Sequence, residues 1–204
     1  MTAAVVVVGA AAQAAAWWFV AFRGADVWRV TIPVLAVVGL AALAAGPPPW
    51  SPDVEPLPAA AAGLGAGVAL YGGTRGFAVL AESWRTFRRH SLATYGRRGE
   101  RSLAWALTLS VAVAVPGEEL FWRGLVQHDL PGAAAPAAVL TWVGYVAVNL
   151  PSANLAVMAG AAVGGAVWGA LGWWTGGVLS PLLAHGAWTA MMISFPVVRP
   201  ERVP

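Results

Sequence analysis

Glu118, Glu119 and Arg123 stand inside a stretch that otherwise reads as membrane-buried. A charge at mid-bilayer costs about 2.5–3.5 kcal/mol on insertion scales. Such groups usually face the bundle interior or a water-filled cavity, and they are often functional. Spacing divides the three. Glu119 and Arg123 are four residues apart, so they share a helix face and can pair. Glu118 is turned from that face by about 100°. Glu119 is therefore read as the structural partner of Arg123, and Glu118 as the carboxylate freer to react. Pro116-Gly117 just upstream predicts a kink or a restart of the helix. A restart would put both carboxylates in a first turn, where exposed N–H groups favour negative charge.

Other polar residues in apolar surroundings narrow the chemistry. Asn149 precedes Leu150-Pro151, and His185 lies midway along a later apolar segment with Thr189 one turn beyond it. A carboxylate base, an imidazole and an amide can together activate water and stabilise an oxyanion. Two other readings stay open. The three charges can form a buried network that only holds helices together, or intramembrane acids on a broken helix can carry protons or ions. His90 and His128 are read as peripheral and without chemistry.

The elements that must position these residues are membrane helices. The chain has 204 residues, 59% hydrophobic and 10% charged, against about 25% charged in soluble domains. Mean hydropathy is +0.69. The length fits one integral membrane domain, residues 1–204. With no Cys there is neither a disulfide framework nor thiolate chemistry. The net charge of +3 sets twelve basic residues, all Arg, against nine Asp and Glu. It is assigned to membrane topology, and no nucleic-acid partner is expected.

The expected fold is all-α: a polytopic membrane bundle of about seven transmembrane helices enclosing a polar cavity. The expected spans are Ala3 to Phe22, Val27 to Ala45, Ala59 to Gly73, Leu103 to Leu130, Ala133 to Leu150, Leu155 to Trp174 and Gly177 to Phe195. The Gly46–Pro58 stretch reads as a helix-breaking loop carrying Asp53 and Glu55.

Residues 74–102 hold Arg75, Arg85, Arg88, Arg89, Arg97, Arg98 and Arg101 against Glu82 and Glu100. Trp84, Phe87, Leu92 and Tyr95 fall within an arc of about 140° at helical spacing. That suits either an interfacial helix or a solvated basic loop. The positive-inside rule puts this loop and the C-terminal tail (Arg199, Glu201, Arg202) in the cytoplasm. Every Arg except Arg123 then lies on or near that side, and Asp53, Glu55 and Asp129 lie outside.

Pro116-Gly117-Glu118-Glu119-Leu120-Phe121-Trp122-Arg123-Gly124 resembles the EExxxR motif of CPBP intramembrane proteases, the family of CAAX prenyl endopeptidases and bacteriocin-processing or immunity (Abi) proteins. Tyr145 to Pro151 resembles the second motif, usually FxxxH followed by Leu-Pro. The glycine-rich run from Gly164 to Thr175 and Gly177 to Pro181 leads into His185-Gly186-Ala187-Trp188-Thr189, which resembles the third motif, HxxxN or HxxxD. The likeness covers about residues 103 to 195.

The resemblance implies a helical bundle around a polar cavity that hydrolyses a peptide bond in a membrane-tethered peptide or protein, with the lipid bilayer as surroundings. The implied setting is a bacterial plasma membrane. It implies Glu118 as the water-activating base and Glu119 and Arg123 as the scaffold. His185 would polarise the carbonyl or bind water or metal, and Asn149 and Thr189 would stand at the remaining motif positions. An implied divalent metal such as Zn would rest on Glu118 and His185. The chain departs from the family at Asn149, where His is usual, and at Thr189, where Asn or Asp is usual. An amide is a poor metal ligand and cannot be a base. Catalytic zinc generally takes three protein ligands. The rival expectations are a catalytically weakened relative acting as a membrane binding or immunity protein, and a proton-coupled transporter.

Overall fold

The computed structural model describes residues 2–96, 101–130 and 134–198. These residues form helices and no strand. In chain order they are α1 (Thr2–Phe22), α2 (Val27–Ala45), α3 (Pro56–Leu80) and α4 (Arg85–Gly96). Then come α5 (Leu103–Asp129), α6 (Ala134–Asn149), α7 (Leu155–Thr175) and α8 (Leu179–Ser194).

Side-chain oxygens start three of the helices. Asp26 accepts from the N–H groups of Trp28 (2.8 Å) and Arg29 (3.3 Å) ahead of α2. Ser102 accepts from Trp105 (3.1 Å) ahead of α5. Asn154 accepts from Ala156 (2.9 Å) and Val157 (3.2 Å) ahead of α7. Each satisfies amide donors that a first helical turn leaves unpaired. Gly176, at φ +66°, ends α7 in a conformation that glycine adopts without strain.

Among the described residues, four helices are long and apolar enough to cross a membrane: Ala3–Phe22, Val27–Ala45, Leu103–Asp129 and Leu155–Thr175. The expected count of seven is therefore met in part. The other three segments are helical, but α6 and α8 have 16 residues each. That spans about 24 Å at 1.5 Å per residue, against a hydrocarbon core of about 30 Å. α3 is longer, at 25 residues, but Gly and Pro dilute its apolar character. It also runs past the expected end at Gly73, through Gly76 to Leu80.

The connections gather at two ends of the bundle. At one, Arg101 pairs with Asp26 (3.0 Å), the Tyr95 hydroxyl accepts from the Val197 N–H (3.2 Å), and the Tyr71 hydroxyl donates to the Phe195 carbonyl (2.8 Å). His90, read from the sequence as peripheral, joins them. Its Nδ1 accepts from the Leu155 N–H at 2.9 Å, and its carbonyl accepts from Asn154 at 3.1 Å. At the other end the carbonyls of Pro49 and Trp50 accept from Val178 and Leu179, both at 2.9 Å, and the Asp53 N–H donates to Thr175 (3.2 Å). The first end carries the described arginines of the basic segment, and the second carries Asp53, Glu55 and Asp129. About two thirds of the expected basic loop, residues 74–80 of α3 and Arg85–Gly96 of α4, is helix. Within α4, Phe87, Leu92 and Tyr95 are half-buried and Ser91 is buried, so that face packs onto protein. Trp84 precedes α4 and is exposed. Arg97, Arg98 and Glu100, with Arg199, Glu201 and Arg202, lie outside the described residues.

Close helix contacts at glycine set the position of the chemistry. A Cβ on Gly117 of α5 would strike the Leu35 carbonyl of α2, and one on Gly39 would strike the Gly117 backbone. Gly63 and Gly67 of α3, one turn apart, lie against the carbonyls of Ser180 and Ala184 of α8. Without a solvent-driven hydrophobic term in lipid, such small-residue faces let helices gain packing contacts. They draw α8, which carries His185, and α5, which carries the two carboxylates, into the bundle. The apolar core beside them includes Leu35, Val38, Phe121, Trp122, Tyr145 and Val148.

Candidate active site

α5 does not restart at Pro116-Gly117. It runs on through two wide turns, at Ser110–Ala114 and Leu120–Val126. The Val115 N–H reaches the Ser110 carbonyl, and the Gln127 N–H reaches that of Trp122, both five residues back. Proline has no N–H to give and its ring collides with the carbonyl four residues back. A widened turn just before Pro116 absorbs both problems without breaking the helix. The carboxylates thus lie mid-helix, and the expected first-turn stabilisation does not apply to them.

Glu118 and Glu119 converge on one imidazole. His185 Nδ1 lies 2.8 Å from Glu119 Oε1, and Nε2 lies 3.9 Å from Glu118 Oε2. The ring spans the 100° that separates neighbouring helical side chains, one nitrogen toward each carboxylate. It is stacked on Trp168, with centroids 5.1 Å apart and planes 15° apart. With its Nδ1–H given to Glu119, His185 is held in one tautomer and one orientation. Its Nε2 faces Glu118.

Glu119 does more than pair with Arg123. Its Oε1 accepts from Arg123 Nη1 at 3.3 Å and also meets His185. Arg123 Nη2 donates to the Gly165 carbonyl at 3.0 Å, and its guanidinium lies 4.7 Å from the Tyr145 ring centroid. One turn on, Gln127 donates to the Gly169 carbonyl at 3.0 Å. The glycine-rich run of α7 makes this possible: a Cβ at Gly165 would meet Tyr145, and one at Gly172 would meet Gln127 and Arg123. The side chains of Glu119 and Arg123 are fully buried, whereas Glu118 keeps 16% exposure. Of the two carboxylates, Glu118 is the less buried.

Tyr145 was not among the residues singled out for chemistry. Its hydroxyl donates to Glu118 Oε2 at 2.9 Å. The signal was its place in the second motif, one turn before Asn149 and in the position where the family usually has Phe. Asn149 is buried, and its side-chain amide donates to the Tyr145 carbonyl at 2.8 Å within its own helix. No hydrogen bond joins it to Glu118, Glu119 or His185 among the described residues. Thr189 sits one turn beyond His185, half-buried, and makes no described bond to the cluster.

The donors present do not fit a catalytic zinc site. Such a site takes three protein ligands. Glu118 Oε2 and His185 Nε2 face each other, but Glu119 is committed to Arg123 and His185, and Asn149 to a backbone carbonyl. No group of three His, Cys, Asp or Glu side chains among the described residues is placed to hold an ion. Two cavities lie at the ends of the bundle. One, of about 70 Å³, is lined by Pro48, Gly124 and Asp129, and the other, of about 190 Å³, by Phe87, Arg88 and Val197. Neither reaches Glu118, so the expected polar cavity around the carboxylates is not confirmed.

Apolar helices long enough to span a bilayer, with a buried Glu–Arg–His cluster between them, define an integral membrane protein. Residues 100–191 match the family model described as Rce1-like, type II CAAX prenyl endopeptidase Rce1-like. The matched segment is a little under half of the chain, and through it the chain is similar to the CPBP family. No curated protein and no solved structure matches it.

Proposed function

We propose that this protein is a CPBP-type intramembrane endopeptidase that hydrolyses a peptide bond in a membrane-tethered substrate. The observation that carries the reading is the convergence of Glu118 and His185 at 3.9 Å over a fully buried Glu119–Arg123 pair. The gap is too long for a good direct hydrogen bond. It is close enough for both groups to act on one reacting atom after a small shift. Glu118 removes a proton from water as the water oxygen attacks the scissile carbonyl. That proton passes to the leaving nitrogen as the C–N bond breaks. His185, aimed by Glu119, donates or accepts at the same centre. The rigid buried pair beneath contributes through positioning. All seven apolar segments cross the bilayer in this reading, with the arginine-bearing end in the cytoplasm.

Asn149 favours one second reading. Its amide is turned into its own helix, as it would be in a relative that keeps the scaffold and acts as a membrane binding or immunity protein. Sequencing of new peptide termini in membranes from cells carrying the wild type or Glu118→Ala separates the two. Termini that appear only with wild type establish proteolysis and name the substrate. Identical termini at equal, folded expression overturn the protease reading and leave the binding role.

A further inference from the structure

We propose that Tyr145 is a positioning residue for Glu118: its phenol occupies Oε2, leaving Oε1 as the basic oxygen and keeping His185 from closing on the carboxylate. This rests on the reading of the site as a hydrolase.

The contacts around Tyr145 place its hydroxyl rather than merely bury its ring. The phenol donates to Glu118 Oε2 at 2.9 Å, and His185 Nε2 approaches that same oxygen at 3.9 Å. The phenol holds that acceptor, and His185 competes for it only as the imidazolium, whose two ring N–H groups both donate. The ring is held on several sides. Arg123 lies 4.7 Å from its centroid, Trp122 meets it nearly edge-on at 5.7 Å, and Gly165 presents no Cβ where one would collide with it. The Asn149 amide bonds the Tyr145 carbonyl, so the residue standing at the family's second His position buttresses Tyr145 instead of entering the site.

The consequence is chemical. A carboxylate has two oxygens, and a donor on one leaves the other to accept a proton from water. If the phenol is removed, Oε2 loses its partner, and His185, as the imidazolium with a hydrogen on Nε2 as well as Nδ1, can move in to form a closed Glu118–His185 pair. That pair uses up the base. The proton bookkeeping of hydrolysis is unchanged by Tyr145, whose own proton stays on its oxygen throughout.

Tyr145→Phe keeps the ring and the guanidinium contact and deletes one oxygen, so it tests the bond without emptying the site. Two measurements on the full chain in lipid nanodiscs and in cells decide the matter. The first is the tyrosine Fermi doublet in ultraviolet Raman spectra, isolated for Tyr145 by subtracting the Tyr145→Phe spectrum. It should report a strong donor in wild type and a weakened one in Glu118→Gln. The second is the rate at which Glu118-dependent termini accumulate. It should fall about 10²-fold in Tyr145→Phe, the scale expected of a misplaced reacting group, with melting temperature lowered only slightly, as the loss of one hydrogen bond requires. A doublet that does not respond to Glu118→Gln overturns the proposal. So does cleavage by Tyr145→Phe at the wild-type rate while Glu118→Ala is dead, and that result leaves the hydrolase reading standing. Termini identical in wild type and Glu118→Ala overturn the hydrolase reading, and this proposal with it.

Discussion

Replacing Arg123 with Met should cost this protein about 3 kcal/mol of stability. The guanidinium bonds Glu119 at 3.3 Å and the Gly165 carbonyl at 3.0 Å, and both ionic side chains are fully buried. Removing one partner of a buried ion pair typically costs about 3–5 kcal/mol, because the other charge stays behind in a poorly solvating interior. Here the lower end applies, since Glu119 keeps His185 as a second partner at 2.8 Å. A loss of that size moves the folding equilibrium about a hundredfold. Reversible unfolding in bicelles, followed by steric trapping, measures it. The double variant Glu119→Gln/Arg123→Met removes both charges and should lose less than the sum of the single losses. The shortfall should lie within the range of about 0.5–3 kcal/mol seen for coupled neighbours. A single-variant loss under about 1 kcal/mol, the scale of an exposed pair, would refute the argument. So would additive losses in the cycle.

Three further outcomes follow from other contacts. Gly117→Ala places a methyl group against the Leu35 carbonyl, where backbone stands on both sides and neither can yield. It should destabilise by at least the roughly 1–3 kcal/mol of ordinary overpacking, read as a lowered unfolding midpoint. Asn149→Ala should lower stability by about 1 kcal/mol, since it deletes one buried bond to the Tyr145 carbonyl. Glu118-dependent cleavage by that variant should stay within about threefold of wild type, whereas a catalytic Asn149 would cost about 10²-fold or more. Asp26 supplies a pH test. Slight burial pushes its carboxyl up, but the N–H groups of Trp28 and Arg29 and the Arg101 guanidinium outweigh that and hold it below its ordinary value of 3.8. Its cap and ion pair therefore stabilise fully above that value and are lost as pH falls through the lower folded one. Asp26→Ala should be less stable than wild type at neutral pH, and the gap should shrink in acid. A gap independent of pH would contradict the assignment.

Much of the architecture was legible in the order of residue types. Runs of apolar residues interrupted by the Gly46–Pro58 stretch and the arginine-rich 74–102 stretch marked the helices, because hydrophobicity acts over a few neighbouring residues. The Glu119–Arg123 pair was legible for the same reason, as four-residue spacing alone puts both on one face. Three things depended on tertiary structure. The course of α5 past Pro116 was settled by wide turns that local signals do not encode. The partners of Glu119 and Glu118 were settled by packing: His185, 66 residues from Glu119, bridges both carboxylates only because Gly63, Gly67 and Gly117 let helices close in. The contacts of Asn149 and Tyr145 were decided last, by which side of one helix faces the glycine groove of α7. Sequence by itself determined which side chains carry charge into the membrane and which helix each occupies. Only the tertiary structure decided which of them meet, because a contact between distant residues depends on the approach of whole helices, and that is set by every small residue along their faces.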